Sequence, residues 1–225
     1  KSAYHAAYLR DLKLSYLHPP CLEEFEVFDA VLPFQVQEAL EREPDIGAVL
    51  IVSPTYEGRI TDVRAVAEIV HKKGIPLMVD EAHGAHLGLH REEPPNSCQQ
   101  GADLVIHSVH KTLPALTQSA LLHVNGSLVD RELLRRFLHI YQTSSPSYLL
   151  MAGIDNALEY LEADGGEVFV RLRRRMKRMR ELLGACRHLK FLPEEKAQDP
   201  GKLLISVKGT NLSGKQLYDL LLQEH

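Results

Sequence analysis

Residues 76–112, PLMVDEAHGAHLGLHREEPPNSCQQGADLVIHSVHKT, hold two short apolar runs, 76–79 and 102–106, entered through turn glycines Gly74 and Gly101. Runs of this length between turn signals predict buried parallel strands. Each run ends in residues that packing does not call for. Asp80 closes the first, and Ser108, Val109, His110 and Lys111 follow the second. In an open α/β sheet, ligands bind outside the carboxyl ends of the strands. The two runs therefore aim a carboxylate and an amine at one region.

The flanking sequence fits such a sheet. Residues 2–12 are helix-prone and lead into an expected short strand at 14–17, ended by Pro19 and Pro20. Pro33 suits the first turn of a helix to Arg42, with Pro44 beyond it. Residues 48–52, AVLIV, predict a strand buried on both faces. Thr61 is the expected cap of a helix over 62–73, with Val63, Val66, Ala67 and Val70 on one stripe. A strand at 120–124, a turn at Asn125 and Gly126, and a helix capped by Asp130 follow. A long helix then starts at Ser145 and Pro146. Strands alternating with helices imply a mostly parallel sheet with helices on both faces.

After Gly166 the texture changes to a basic helix, a loop rich in proline, glycine and lysine, a strand at 203–207, and a helix with Ser213 and Gln216 as its capping box. The expected division is a large domain over 1–163, followed by a linker helix and the start of a small α+β domain over 164–225. The chain has no initiator Met and opens as if in mid-helix, so it is expected to be a fragment lacking its N-terminal part.

The composition, 44% hydrophobic and 25% charged with net charge −4, is that of a soluble globular protein. That charge offers no general field for nucleic acid or an anionic membrane. No apolar stretch approaches the ~20 residues of a membrane span, and no signal peptide is read at the start. Cys21, Cys98 and Cys186 are odd in number and far apart. This speaks against a disulfide framework and for a reducing, cytoplasmic setting.

Pyridoxal phosphate suits the Asp80–Lys111 pairing, because its aldehyde needs a lysine and its ring nitrogen an acid. A desolvated Lys111 would be the neutral amine that condenses with an aldehyde. Asp80 would keep the ring nitrogen protonated, and Ala82 would leave room for a flat ring. The plainer readings are a surface lysine and a turn aspartate. Neither residue alone decides between them.

DEAHGAHLG, GADLVIHSVHKTLPALTQ and YQTSSPSYLL together resemble the core of the ornithine/lysine/arginine decarboxylase family, which are fold-type-I pyridoxal-phosphate enzymes. The opening KSAYHAAYLRDLKLSYLHPP resembles the family segment after its ring-stacking histidine. The likeness covers nearly the whole chain. It implies that Lys111 bonds the cofactor, that Asp80 faces its ring nitrogen, and that Ser108 and His110 contact its phosphate. It implies that Thr143, Ser144 and Ser145 reach the phosphate of a neighbouring subunit, so a homodimer or higher homo-oligomer with shared sites is expected. The implied reaction is decarboxylation of arginine, lysine or ornithine, a step of polyamine biosynthesis, with His110 or Lys111 returning a proton to the α-carbon. The family's stacking histidine and phosphate-cupping turn would precede Lys1. The alternatives are another fold-type-I enzyme, an aminotransferase or lyase, and a catalytically silent fragment.

Other motifs are weaker. DEAH after an apolar strand also describes a magnesium-binding segment of ATPases, but Gly201-Lys202 and Gly214-Lys215 make no phosphate loop. Glu81, His83 and His86 lack a further metal ligand at a readable spacing, so no metal is expected. His83 is better read as lining the cofactor ring or the substrate. The local reading of residues 143–146 is a helix N-cap, itself an anion site. The basic run 171–180 carries Leu172, Met176, Met179 and Leu183 at helical spacing, which predicts a solvated amphipathic helix rather than a nucleic-acid surface.

Overall fold

The computed structural model describes residues 2–164, 166–193 and 197–223. Helix α1 (Ser2–Leu9) opens the chain. The expected strand at 14–17 does not form. Leu14 and Tyr16 stay exposed without a strand partner, and the pairing falls later, in a hairpin of β1 (Cys21–Leu22) and β2 (Val27–Phe28). Helix α2 (Pro33–Arg42) starts at its proline and buries Val36, Ala39 and Leu40.

Strand β3 (Val49–Val52), helix α3 (Val63–His71), strand β4 (Leu77–Asp80) and strand β5 (Leu104–His107) follow. A single turn, α4 (Val109–Thr112), leads to β6 (Leu121–Val124). These strands form one sheet in the order β3-β4-β5-β6, parallel except for the last pair. The cap of α3 is Asp62 rather than Thr61: the Asp62 carboxylate accepts the Ala65 N–H at 3.0 Å. Thr61 is buried instead, its N–H donating to the Ser53 hydroxyl. The stripe of Val63, Val66, Ala67 and Val70 is buried as its spacing predicts.

Side chains alternate across a strand, so register sorts the sheet into two faces. Val49, Ile51, Leu77, Val79 and Val105 join the α2 and α3 stripes in the core. Burying each such side chain contributes roughly 1.5–3 kcal/mol. On the opposite face, Val52 pairs with Asp80 and Asp80 with Ile106. There Leu50, Val52 and Ile106 remain 42%, 44% and 43% exposed. Strand β3 is therefore buried on one face, not both, because no described residue packs over those three side chains.

Helix α5 (Arg131–Tyr141) is capped by Asp130, which accepts the Leu133 N–H. Helix α6 (Tyr148–Ala163) starts two residues later than expected, with Ser147 rather than Ser145 as the cap. Helix α7 (Glu167–Leu183) buries Phe169 and Met176, while Leu172 and Met179 stay exposed. Its inward face is thus rotated from the predicted stripe and includes Arg173, paired with Glu93 at 2.9 Å. Strands β7 (Lys190–Phe191) and β8 (Ile205–Ser206) pair antiparallel. Helix α8 (Gly214–Gln223) has the expected Ser213–Gln216 reciprocal cap. Among the described residues, no helix is long and apolar enough to cross a membrane.

Candidate active site

The carboxyl ends of β4 and β5 lie side by side, with Asp80 paired to Ile106. Asp80 is half-buried on the open face. Its Oδ1 accepts the Ala82 N–H at 3.1 Å, which fixes the carboxylate, while Oδ2 accepts no hydrogen bond among the described residues. Past β5 the chain turns into α4, where the Lys111 N–H donates to the Ser108 carbonyl. Ser108 precedes this turn, but its side chain makes no cap bond, so its hydroxyl is free for another acceptor. His110 donates from Nδ1 to the Ser119 carbonyl at 2.8 Å, which leaves Nε2 for a ligand.

Lys111 is exposed, so among the described residues its amine is not desolvated. Its Nζ lies 3.3 Å from His83 Nε2. The pKa of His83 is lowered from the ordinary 6.5, first by partial burial and then by the positive charges of Lys111 and Lys202, against the pull of Asp80 and Glu57. A neutral His83 can accept a hydrogen bond from the Lys111 ammonium. The loop carrying Ala82 and His83 is tightly seated at Gly84. A Cβ there would lie 2.6 Å from Pro54 Cδ and 2.7 Å from Glu81 Cγ.

Asp80, Ala82, His83, Ser108, His110 and Lys111 therefore gather at two neighbouring strand ends. Thr143, Ser144 and Ser145 do not join them. They are exposed, Thr143 accepts the Ser145 N–H in a local turn, and no described hydrogen bond links them to Ser108 or His110. His83 and His86 also separate: His86 Nε2 meets the buried Asp199 at 3.1 Å, away from Lys111. Among the described residues, no group of three or more His, Cys, Asp or Glu could hold a metal. A cavity of about 660 Å³ between residues 89–91 and helices α6 and α7 includes none of the site residues.

Two sets of contacts were not foreseen from the sequence. Glu81, next to Asp80, is 1% exposed. It accepts from the Ser97 N–H and hydroxyl, and from His107 Nε2 at 2.7 Å. His107 Nδ1 in turn meets His123 Nε2 at 3.1 Å. The alternation of His107 and His123 with apolar residues in β5 and β6 was the available signal. The second set is Tyr56 and Lys202. The Tyr56 ring stands edge-on to His83 with centroids 5.3 Å apart, and Lys202 Nζ lies 5.2 Å from the Tyr56 centroid.

The fit to pyridoxal phosphate rests on this arrangement: an accessible amine at one strand end, a fixed carboxylate with a free oxygen at the next, and a free hydroxyl and imidazole beside the amine.

The family model for the major domain of Orn/Lys/Arg decarboxylases matches residues 1–199. Arginine decarboxylase of Bacillus cereus is 30% identical over 224 residues, covering 96% of this chain and 48% of that protein. Arginine decarboxylase of Bacillus subtilis is 33% identical over 206 residues, covering 88% and 42%. The chain thus spans about half the length of these curated relatives. In structure it resembles the lysine decarboxylase LdcF of Francisella novicida, with a TM-score of 0.66 and 18% identity, covering 88% of this chain and 30% of that one. Matched over most of its length, with the gathered residues on the matched segment, the chain belongs to the pyridoxal-phosphate-dependent ornithine/lysine/arginine decarboxylase family.

Proposed function

We propose that the complete protein decarboxylates a basic amino acid (arginine, lysine or ornithine) to the corresponding amine and carbon dioxide, and that this chain supplies the reacting half of the site. The observation that carries the reading is the 3.3 Å approach of Lys111 Nζ to His83 Nε2, beside a strand end where Asp80 holds one carboxylate oxygen free. Pyridoxal phosphate, when bound, supplies an aldehyde for amines and a ring that accepts the electrons left by a departing carboxylate.

Lys111 would hold the cofactor through its aldehyde. A neutral His83 takes a hydrogen bond from the lysine and lines the ring. Asp80 keeps a proton on the ring nitrogen, and Ala82 leaves the ring room. Ser108 and His110 Nε2 bind phosphate oxygens. The proton returned to the α-carbon comes from Lys111 or His110, both on the same helical turn. Thr143, Ser144 and Ser145 of a second copy complete the phosphate site in a homodimer. The setting is cytoplasmic and the amine product feeds polyamine synthesis. Residues 1–163 form the cofactor-binding domain and 164–225 begin a smaller one.

The test uses the complete protein loaded with cofactor. Borohydride reduction and peptide mapping should place the label on Lys111, Lys111→Ala should abolish it, and wild type should release carbon dioxide from one of the three amino acids. A label on Lys72, Lys73 or Lys202 would overturn the assignment. Amino-group transfer without carbon dioxide release would make the protein an aminotransferase.

A further inference from the structure

The segment that presents Lys202 is braced from every side, although it lies far along the chain from the strand ends it meets. The Ile60 N–H donates to the Ala197 carbonyl, and the Asp199 N–H to the Gly58 carbonyl at 2.7 Å. Gln198 donates to the Glu57 carbonyl and accepts from the buried Arg59. Asp199, 1% exposed, holds both His86 and the Gly201 N–H. From α7, Arg180 donates to the carbonyls of Pro200 and Lys202. The aliphatic stem of Lys202 lies on Gly58, where an added Cβ would be 2.7 Å from Lys202 Cγ and φ is +90°.

So much order at its backbone and stem leaves the Lys202 ammonium, among the described residues, against the Tyr56 ring. Its Nζ makes no ion pair or hydrogen bond among the described residues. The ring leads on to His83, and His83 to Lys111. A basic amino acid carries one anionic group, its α-carboxylate, next to the amine that must displace Lys111. On the Tyr56 side of the site, Lys202 is a cation that no described carboxylate pairs with. The match to the major-domain model ends at residue 199, just before this lysine.

We propose that Lys202 binds the α-carboxylate of the substrate; this rests on the amino-acid chemistry proposed above. The contact is made to the substrate before the carboxylate leaves. A full charge there holds the ground state at least as well as the transition state, so its loss weakens binding more than turnover.

The test compares wild type with Lys202→Met, which keeps the stem on Gly58 and Tyr56, and with Lys202→Arg, which keeps the charge. Complete, cofactor-loaded proteins are titrated calorimetrically and assayed with arginine, lysine and ornithine, and with agmatine, cadaverine and putrescine, the amines that lack the carboxylate. Lys202→Met should weaken the amino acid about tenfold or more, the worth of one charge-assisted bond. It should leave amine binding, cofactor affinity and kcat within about threefold, and Lys202→Arg should recover most of the loss. Equal weakening of amino acid and amine, or no change in either, would overturn the proposal. A fall in cofactor affinity alone would assign Lys202 to the phosphate and overturn it as well. Wild type that binds amino acids but releases no carbon dioxide would defeat the decarboxylase reading, while the comparison of acid with amine would still decide the lysine's role.

Discussion

Asp80 Oδ1 is tied to the Ala82 N–H and Oδ2 is not. Asparagine can keep the first bond through its amide oxygen but cannot hold a proton on a ring nitrogen. Asp80→Asn should therefore lower kcat by about 100-fold or more while cofactor affinity, followed by absorbance titration, changes far less. Loss of cofactor with normal turnover per bound cofactor would contradict the role proposed for Asp80. Asp80, Ser108, His110 and Lys111 stood out in the sequence because they break apolar runs at their carboxyl ends. Lys202 did not. Its place depends on contacts such as Arg59–Gln198, which join positions 139 residues apart, and no local pattern encodes that.

At the scale of elements, the Glu81–His107–His123 chain ties the end of β4 to β5 and β6. The pKa of His123 is lowered from 6.5, first by burial and then by His107, with Glu81 opposing. The folded state thus binds fewer protons here than the unfolded one. The stabilising share of a neutral His123 is complete above pH 6.5 and is lost as pH falls through the folded pKa. Denaturant midpoints should accordingly drop between about pH 7 and pH 5. His123→Gln, which can still donate to His107, should flatten that drop; an unchanged slope would remove His123 as its source. Helix periodicity located the α3 stripe correctly because every residue in it is apolar. It misplaced the α7 stripe because Arg173 points inward to a carboxylate, Glu93, that hydrophobic spacing does not detect. Neighbouring capping residues, Thr61 beside Asp62 and Ser145 two before Ser147, likewise left the helix starts open to a shift of one or two positions.

For the whole molecule, the order of strands and helices was legible, whereas the covering of the sheet was not. An apolar run such as 48–52 reads the same whether one face or both are packed. Nor does this chain bring residues 143–145 to its own Ser108 and His110. If two copies share sites as proposed, Lys111→Ala mixed with a variant carrying bulky acids at Ser144 and Ser145 should regain up to about a quarter of wild-type activity per site. This follows because half the dimers are mixed and each holds one intact site. No recovery, with subunit exchange demonstrated, would mean that each copy builds its own site.

Two acids stand next to each other at the end of β4, and nothing in their chemistry assigns them different work. Asp80 faces the open side because it is an even step from Met78, and Glu81 faces His107 because it is odd. Deleting one residue within 77–79 would exchange them, sending the longer acid toward the open face and the shorter one into the core. Parity along the strand assigns the roles, so this stretch tolerates a changed letter far better than a changed count.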